Sequence, residues 1–280
     1  MWLHSSGRPT SGRTDQDHRT SRSTPARHKA KALHRAYAGG VLLLCCLSQP
    51  AQAACDDPPA PQVNWSGCDL RERDLGGLDL RNASLRNARL QGANLQRSNL
   101  RGANLSYADA SGANFGEALM ESSILTRTLL SEAVFEGVQL AGARFSRADL
   151  RNARLGNAQL QKTRFLEARM DGADLRGSDL TEASFERASL DGARLQQVKA
   201  QDSRFVNTSL EGADFTGADL HKANFEDALL IGANLQDTDL SRATLVDADL
   251  TNAKLEGAKL DSAMWTDRRR CRPGSVGECR

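Results

Sequence analysis

Residues 171–180 read DGADLRGSDL and residues 231–240 read IGANLQDTDL, and both are built on a period of five. If the large apolar residue is called position i, then Leu175, Leu180, Leu235 and Leu240 occupy it, with Ala173 and Ala233 at i−2. Extending this register in both directions gives forty consecutive i positions, from Leu70 to Trp265, holding 27 Leu, 8 Phe, 2 Met, 2 Ala and one Trp. Position i−2 holds 27 Ala, with Ser, Thr or Val at most of the others. Neither regular element tolerates this period. On a helix, five steps of about 100° rotate successive Leu residues by about 140° and scatter them over every face. On a straight strand, an odd period sends them alternately to opposite sides. The chain must therefore bend once per repeat, with i and i−2 turned inward and the polar positions i−1, i+1 and i+2 turned outward. Gly fills i+2 thirteen times, as at Gly92 and Gly192, which suggests corners that need positive φ.

The size of one coil is legible in the aromatic residues. Phe145, Phe165, Phe185, Phe205 and Phe225 recur every twenty residues, followed by Leu245 and Trp265, so four repeats make one coil. Stacked coils would place these rings about 4.8 Å apart in one interior column. Forty repeats at four per coil give ten coils, a rod roughly 48 Å long at that spacing. Ala110 and Ala200 stand where Leu is usual. Val198 restores some volume beside Ala200, whereas Ala110 has only Ala108, so a local void or bend is expected there.

The recurring A(D/N)Lxx pattern from Ala83 to Ala263 resembles the pentapeptide repeat family. The resemblance implies an all-β fold, a right-handed quadrilateral β-helix with Leu or Phe at i and Ala at i−2. NWSGCDL (64–70) and WTDRRRCRPGSVGEC (265–279) look like capping segments of exported members. The expected organisation is a leader over 1–54, an N-terminal cap over 55–67, the repeat β-helix over 68–267 and a C-terminal cap over 268–280. Caps are physically required, because an open coil end exposes both its Leu interior and unpaired backbone.

The first 54 residues differ from the rest. They carry eight Arg or Lys against Asp15 and Asp17, and they hold His4, His18, His28 and His34. Residues 38–47 (AGGVLLLCCL) are too short to span a bilayer, which takes roughly 20 residues. Basic residues before them and Ala51-Gln52-Ala53 after them match a secretory signal peptide cleaved after Ala53 or Ala54, and hence an exported, periplasmic or extracellular protein. Cys55 follows directly, but Gln52 stands where a lipoprotein signal wants an aliphatic residue, so lipid anchoring at Cys55 is the minor reading. Cys55, Cys68, Cys271 and Cys279 remain after cleavage, an even number on an oxidising route, and disulfides are expected. Sequence proximity favours Cys55 with Cys68 and Cys271 with Cys279. Without a CxxC pair or a nearby His, zinc is not expected.

Enzyme chemistry finds little to work with. Aromatic residues are 5% of the chain, and beyond the leader His221 is the sole histidine. No nucleophile with its base, metal cluster or phosphate loop is legible, so no catalytic, cofactor or metal site is assigned. Asp171, Asp191 and Glu211 fall in one outward column and are read as solvated acids, with a bound cation as the alternative. The feature that breaks pattern is apolar: Leu119, Ile124, Leu129 and Val134 occupy four successive i−1 positions that other coils fill with polar residues. This belt is the expected contact for a protein partner or for self-association. The leading reading is an exported, non-enzymatic scaffold for structure or protein interaction, without nucleic acid and without a stable membrane span. The alternative is a DNA-mimicking inhibitor of an enzyme such as DNA gyrase, as some cytoplasmic family members are. Residues 201–267 carry thirteen acids against five bases, but residues 141–170 sum to +5 and a signal peptide leads out of the cytosol.

Overall fold

Each residue at i−1 from Asp69 to Thr244, and Asn64 before them, forms a parallel β-bridge with the residue twenty further along, and these bridges sort into four ladders. Ladder 1 runs in steps of twenty from Asn64 to Met264, ladder 2 from Asp69 to Asp249, ladder 3 from Asp74 to Lys254 and ladder 4 from Asp79 to Lys259. The computed structural model describes residues 55–280, so the leader and signal peptide read in residues 1–54 lie outside the described residues. Four ladders per twenty-residue turn make the repeat region a four-sided β-helix.

The hydrogen bonds explain why the repeat is five residues long. In one repeat, the amide of Leu80 donates to the Asn99 carbonyl at 2.8 Å and that of Asn82 to Arg101 at 2.8 Å, both on the next coil. The i−1 amide of Asn99 donates back to Leu78 at 2.8 Å, and the Ala83 amide closes the corner on Leu80 at 3.0 Å. Four of every five backbone donors are thereby used. The fifth, at i+1, is taken by the outward side chain at i−1: Gly76 donates to Asp74 Oδ1 at 3.1 Å, Glu226 to Asn224 Oδ1 at 2.9 Å and Thr251 to Asp249 Oδ1 at 2.9 Å. An Asp or Asn side chain is the right length to accept from the amide two residues on. The Asp/Asn preference at i−1 is therefore a backbone requirement as well as a surface preference.

Every i+2 residue from Glu72 to Ser262 has φ between +54° and +75°, whether or not it is Gly. Positive φ at the second central residue alone, with an i to i+3 hydrogen bond, is the signature of a type II turn. Non-glycine residues adopt this conformation at a cost, so the corners are held by their ladders as well as by local preference.

The interior is layered. Phe145, Phe165, Phe185, Phe205 and Phe225 are all fully buried. Their ring centroids follow at 5.0, 4.8, 4.9 and 4.8 Å, so the expected column is present. Phe115 and Phe135 form a second stack at 4.8 Å; Phe135 meets Phe145 edge-on, and Phe215 meets Phe205 and Phe225 edge-on. Several hydroxyls that replace Ala at i−2 find a carbonyl: Ser98 Oγ donates to Leu95 at 2.7 Å and Thr128 Oγ1 to Leu105, one coil back, at 2.9 Å. No bend marks Ala110, whose amide donates to Leu129 at 2.8 Å like its neighbours.

A disulfide-linked cysteine pair lies near each end of the repeat region. Cys55 and Cys68 lie with sulfurs 1.99 Å apart, and Trp65, 3% exposed, donates its indole N–H to the Asp57 carbonyl at 3.2 Å. At the other end the chain reverses, and Val276 and Arg270 pair antiparallel with Lys259 and Met264, where a further coil would otherwise stack. The Cys271 and Cys279 sulfurs are 2.04 Å apart. The antiparallel pairing covers the ends of ladders 4 and 1, whereas Asp249 and Lys254, the last residues of ladders 2 and 3, make no further bridge among the described residues. No helix among the described residues is long and apolar enough to cross a membrane.

Candidate interaction surface

With both the interior and the backbone donors consumed, only the outward columns remain for contact with other molecules. Leu119, Ile124, Leu129 and Val134 stand in ladders 4, 1, 2 and 3 respectively, one on each side of the helix. They form a ring around the rod rather than one continuous patch. Three are half-buried by neighbouring side chains, whereas Leu129 is 47% exposed. Near Leu129 the Arg127 guanidinium lies over the ring of Tyr107, 5.8 Å from its centroid, and Tyr107 is itself 46% exposed. Tyr107 and Arg127 stand at the corner that leads into ladder 2, where Leu129 sits, so an aromatic ring, a guanidinium and an aliphatic side chain lie within two residues of one another along the chain or across adjacent coils.

In the acidic column, the carboxylates of Asp171 and Asp191 are engaged in internal bonds. Asp171 accepts from the hydroxyl of Ser189, and Asp191 accepts from Ser209 Oγ at 2.5 Å and from the Glu211 amide at 3.0 Å. Among the described residues, no three His, Cys, Asp or Glu side chains are grouped so as to hold a metal ion.

A broad groove lies along ladder 1 and its flanking corners. Its floor is Ser184, whose short side chain leaves a gap between Arg164 and Arg204 in the same ladder. Leu166, Lys162, Glu182 and Glu186 stand round it. Lys162 pairs with Glu182 at 3.6 Å and Arg204 with Glu186 at 2.7 Å. Arg144 and Arg164 are bridged neighbours, both exposed, and neither guanidinium has an ion-pair or hydrogen-bond partner among the described residues.

In other ladders opposite charges face each other on adjacent coils. In ladder 3, Asp174 accepts from Arg176 at 2.6 Å and lies 3.7 Å from Arg194. The Arg176 hydrogen bond holds the Asp174 carboxyl below the usual carboxylate range, against the opposing effect of partial burial. The Arg71 hydrogen bond likewise lowers Asp69, to about 2.

Comparison with known proteins bears on this architecture. A family model described as "Pentapeptide repeats (8 copies)" matches residues 64–102, 98–137, 128–165 and 158–197, and one described as "Pentapeptide repeat region" matches 178–255. The chain belongs to the pentapeptide repeat family. Among solved structures, it is 33% identical to HetL, a pentapeptide repeat protein involved in heterocyst differentiation regulation from the cyanobacterium Nostoc sp. strain PCC 7120, over 65% of this chain and 91% of that one, with a TM-score of 0.45. QnrB1, a plasmid-mediated fluoroquinolone resistance protein, matches at 20% identity over 62% of this chain and 86% of that one, with a TM-score of 0.57. At that identity QnrB1 supports the fold alone. No curated protein sequence matches the chain significantly.

For a pentapeptide repeat protein, the informative surface features are departures from the repeat. The apolar i−1 residues were visible in sequence as such departures. The Tyr107–Arg127 contact and the groove over Ser184 were not, because each joins residues from different coils and depends on side-chain lengths at a corner. Stepping by twenty along ladder 1 would have placed Arg144 next to Arg164.

Proposed function

We propose that this pentapeptide repeat protein is an exported, non-enzymatic interaction scaffold. In this reading it is a right-handed rod of about ten coils closed at each end by a disulfide-bearing cap, and it works outside the cytosol. The observation that carries the reading is Leu129, 47% exposed in a ladder position flanked by Asp109 and Asp149. An aliphatic side chain facing water beside an exposed Tyr and an Arg fits a partner contact better than a solvated surface. Because the four belt residues lie on four sides, a single partner engages chiefly the Leu129 side, with Tyr107 and Arg127.

The test compares wild type with the double variant Leu129→Asp, Tyr107→Ala. Both are expected to have the same melting temperature. Only wild type is expected to self-associate in light scattering or to retain a partner from the exported fraction. A wild-type protein that stays monomeric, and that retains nothing the variant loses, would refute the reading. Mass spectrometry of the exported protein checks the rest: an N-terminus at Ala54 or Cys55, two disulfides and no lipid.

The DNA-mimic alternative draws on the thirteen acids against five bases in residues 201–267. Several of these acids are already engaged, Asp214 by Thr216 and Gln196 and Asp219 by Gln201. Inhibition of DNA gyrase supercoiling by the purified protein would favour it over the scaffold reading.

A further inference from the structure

Along the four ladders, side chains facing each other on adjacent coils follow a simple charge rule. Nine of the bridges pair opposite charges, from Asp69↔Arg89 to Asp239↔Lys259, and only Arg144↔Arg164 and Asp219↔Asp239 pair like charges. The acidic exception is relieved. Asp219 accepts from Gln201 and from the His221 amide, Asp239 accepts from the Ser241 amide, and Lys199 and Lys259 flank them in the ladder. The basic exception has no relief from any described residue. Like charges set directly opposite one another destabilise a sheet, and departures from a consistent pattern without compensation concentrate at functional positions. This pair lies in the groove over Ser184, so its uncompensated charge and an accessible concavity coincide.

We propose that this groove binds a phosphate monoester between the guanidinium groups of Arg144 and Arg164. The charge balance of the groove selects that class. Lys162 with Glu182 and Arg204 with Glu186 cancel, which leaves the two charges of Arg144 and Arg164. A phosphate monoester carries close to two negative charges at neutral pH, whereas a carboxylate or a phosphodiester carries one. Guanidinium groups match phosphate oxygens with paired donors. Ser146 and Ser184, both lining the groove, add hydroxyl donors within the same concavity. The ladder fixes the spacing of the two arginines at about 4.8 Å between strands, so the site needs no rearrangement of the backbone. The groove belongs to ladder 1 and the Leu129 contact to ladder 2, so the two proposals stand or fall separately.

The experiment uses the purified protein as wild type, Arg144→Gln, Arg164→Gln, the double variant, and Arg169→Gln as a control in ladder 2. Melting temperature is followed during titration with inorganic phosphate at constant ionic strength set with chloride, because salt alone screens the repulsion. Wild type and Arg169→Gln should gain stability with phosphate. Each single groove variant should respond with an apparent affinity about tenfold weaker, and the double variant should not respond. In phosphate-free buffer of low ionic strength, Arg164→Gln should melt above wild type, and the difference should shrink as chloride is added. Flotation with phosphatidylcholine vesicles containing phosphatidic acid or phosphatidylglycerol distinguishes the sources. Binding to phosphatidic acid alone, displaced by phosphate and lost in the double variant, identifies a lipid headgroup, whereas a phosphate response without flotation identifies a soluble monoester. Equal phosphate responses in wild type and the double variant, a gain no larger than with chloride, or no effect of Arg164→Gln in phosphate-free buffer would each overturn the proposal.

Discussion

Asp174 Oδ1 accepts the backbone amide of Arg176 at 3.2 Å while the same carboxylate holds the Arg176 guanidinium at 2.6 Å. The first contact is a backbone requirement of the fold and the second a surface ion pair, and two substitutions separate them. Asp174→Asn keeps the acceptor and loses the charge, so it is expected to cost less than about 0.5 kcal/mol, in keeping with exposed ion pairs. Asp174→Ala leaves the Arg176 amide without its partner and is expected to cost about 1 kcal/mol. Chemical denaturation checks this; equal costs for the two variants would mean that the side-chain acceptor does not matter.

The same carboxylates set the acid limit of the fold. Asp69 is lowered to about 2 by Arg71, and Asp149 and Asp174 are lowered by the side-chain hydrogen bonds of Arg151 and Arg176. A carboxylate whose pKa is depressed on folding binds its proton more readily in the unfolded chain, so its contribution is present above the unfolded value of about 3.9 and is lost as pH falls toward the folded one. The denaturation midpoint should therefore be flat above about pH 5 and decline between about pH 4 and 2. Asp174→Asn should make that decline shallower. A midpoint that rises on acidification would contradict the sign.

Buried hydroxyls offer a test of the interior. Thr128 Oγ1 donates to the Leu105 carbonyl at 2.9 Å across coils, whereas Ser123 Oγ, fully buried at the equivalent i−2 position, finds no acceptor among the described residues. Since an unmet buried polar group costs about 1–3 kcal/mol, Ser123→Ala is expected to leave stability unchanged or raise it by about 1 kcal/mol. Thr128→Ala should lower it by a similar amount. A loss on Ser123→Ala would show that its hydroxyl is satisfied in solution.

Phe185 lies between Phe165 and Phe205, at centroid distances of 4.8 and 4.9 Å, with no exposed surface. Phe185→Ala opens a cavity between two rings and should cost about 3–5 kcal/mol, while Phe185→Leu, which restores the usual i residue, should cost under about 1.5 kcal/mol. A change below about 1 kcal/mol for the alanine variant would argue against an interior column.

How much of this was legible in sequence follows from where each property resides. The column at Phe185 was readable because period, size and burial all act on one residue type at a fixed step of twenty. The need for Asp or Asn at i−1 was visible as a pattern, but its cause was not, since nothing in the letters says which backbone amide a ladder leaves over. Positive φ at i+2 was inferred from Gly, yet Glu72, Arg97 and Tyr107 adopt it too; tertiary ladders override the residue preference there. The groove was illegible, because it arises from the shortness of Ser184 relative to Arg164 and Arg204, a relation between coils.

Gly192 isolates the corner strain that those residues bear. Its φ is +64°, and a Cβ built there would meet nothing within 4 Å, so substitution is opposed by backbone conformation alone. Gly192→Val places a β-branched residue in the left-handed region and should cost about 1–2 kcal/mol. Gly192→Asn should cost much less, because Asn tolerates that region and already occupies it at Asn87 and Asn152. The converse change, Glu132→Gly, relieves a non-glycine residue at φ 60° and is expected to stabilise by up to about 1 kcal/mol after the added chain entropy of glycine is counted. Denaturation of the three variants side by side decides the matter: equal costs for Val and Asn at position 192 would show that steric contact, and not φ, governs the corner.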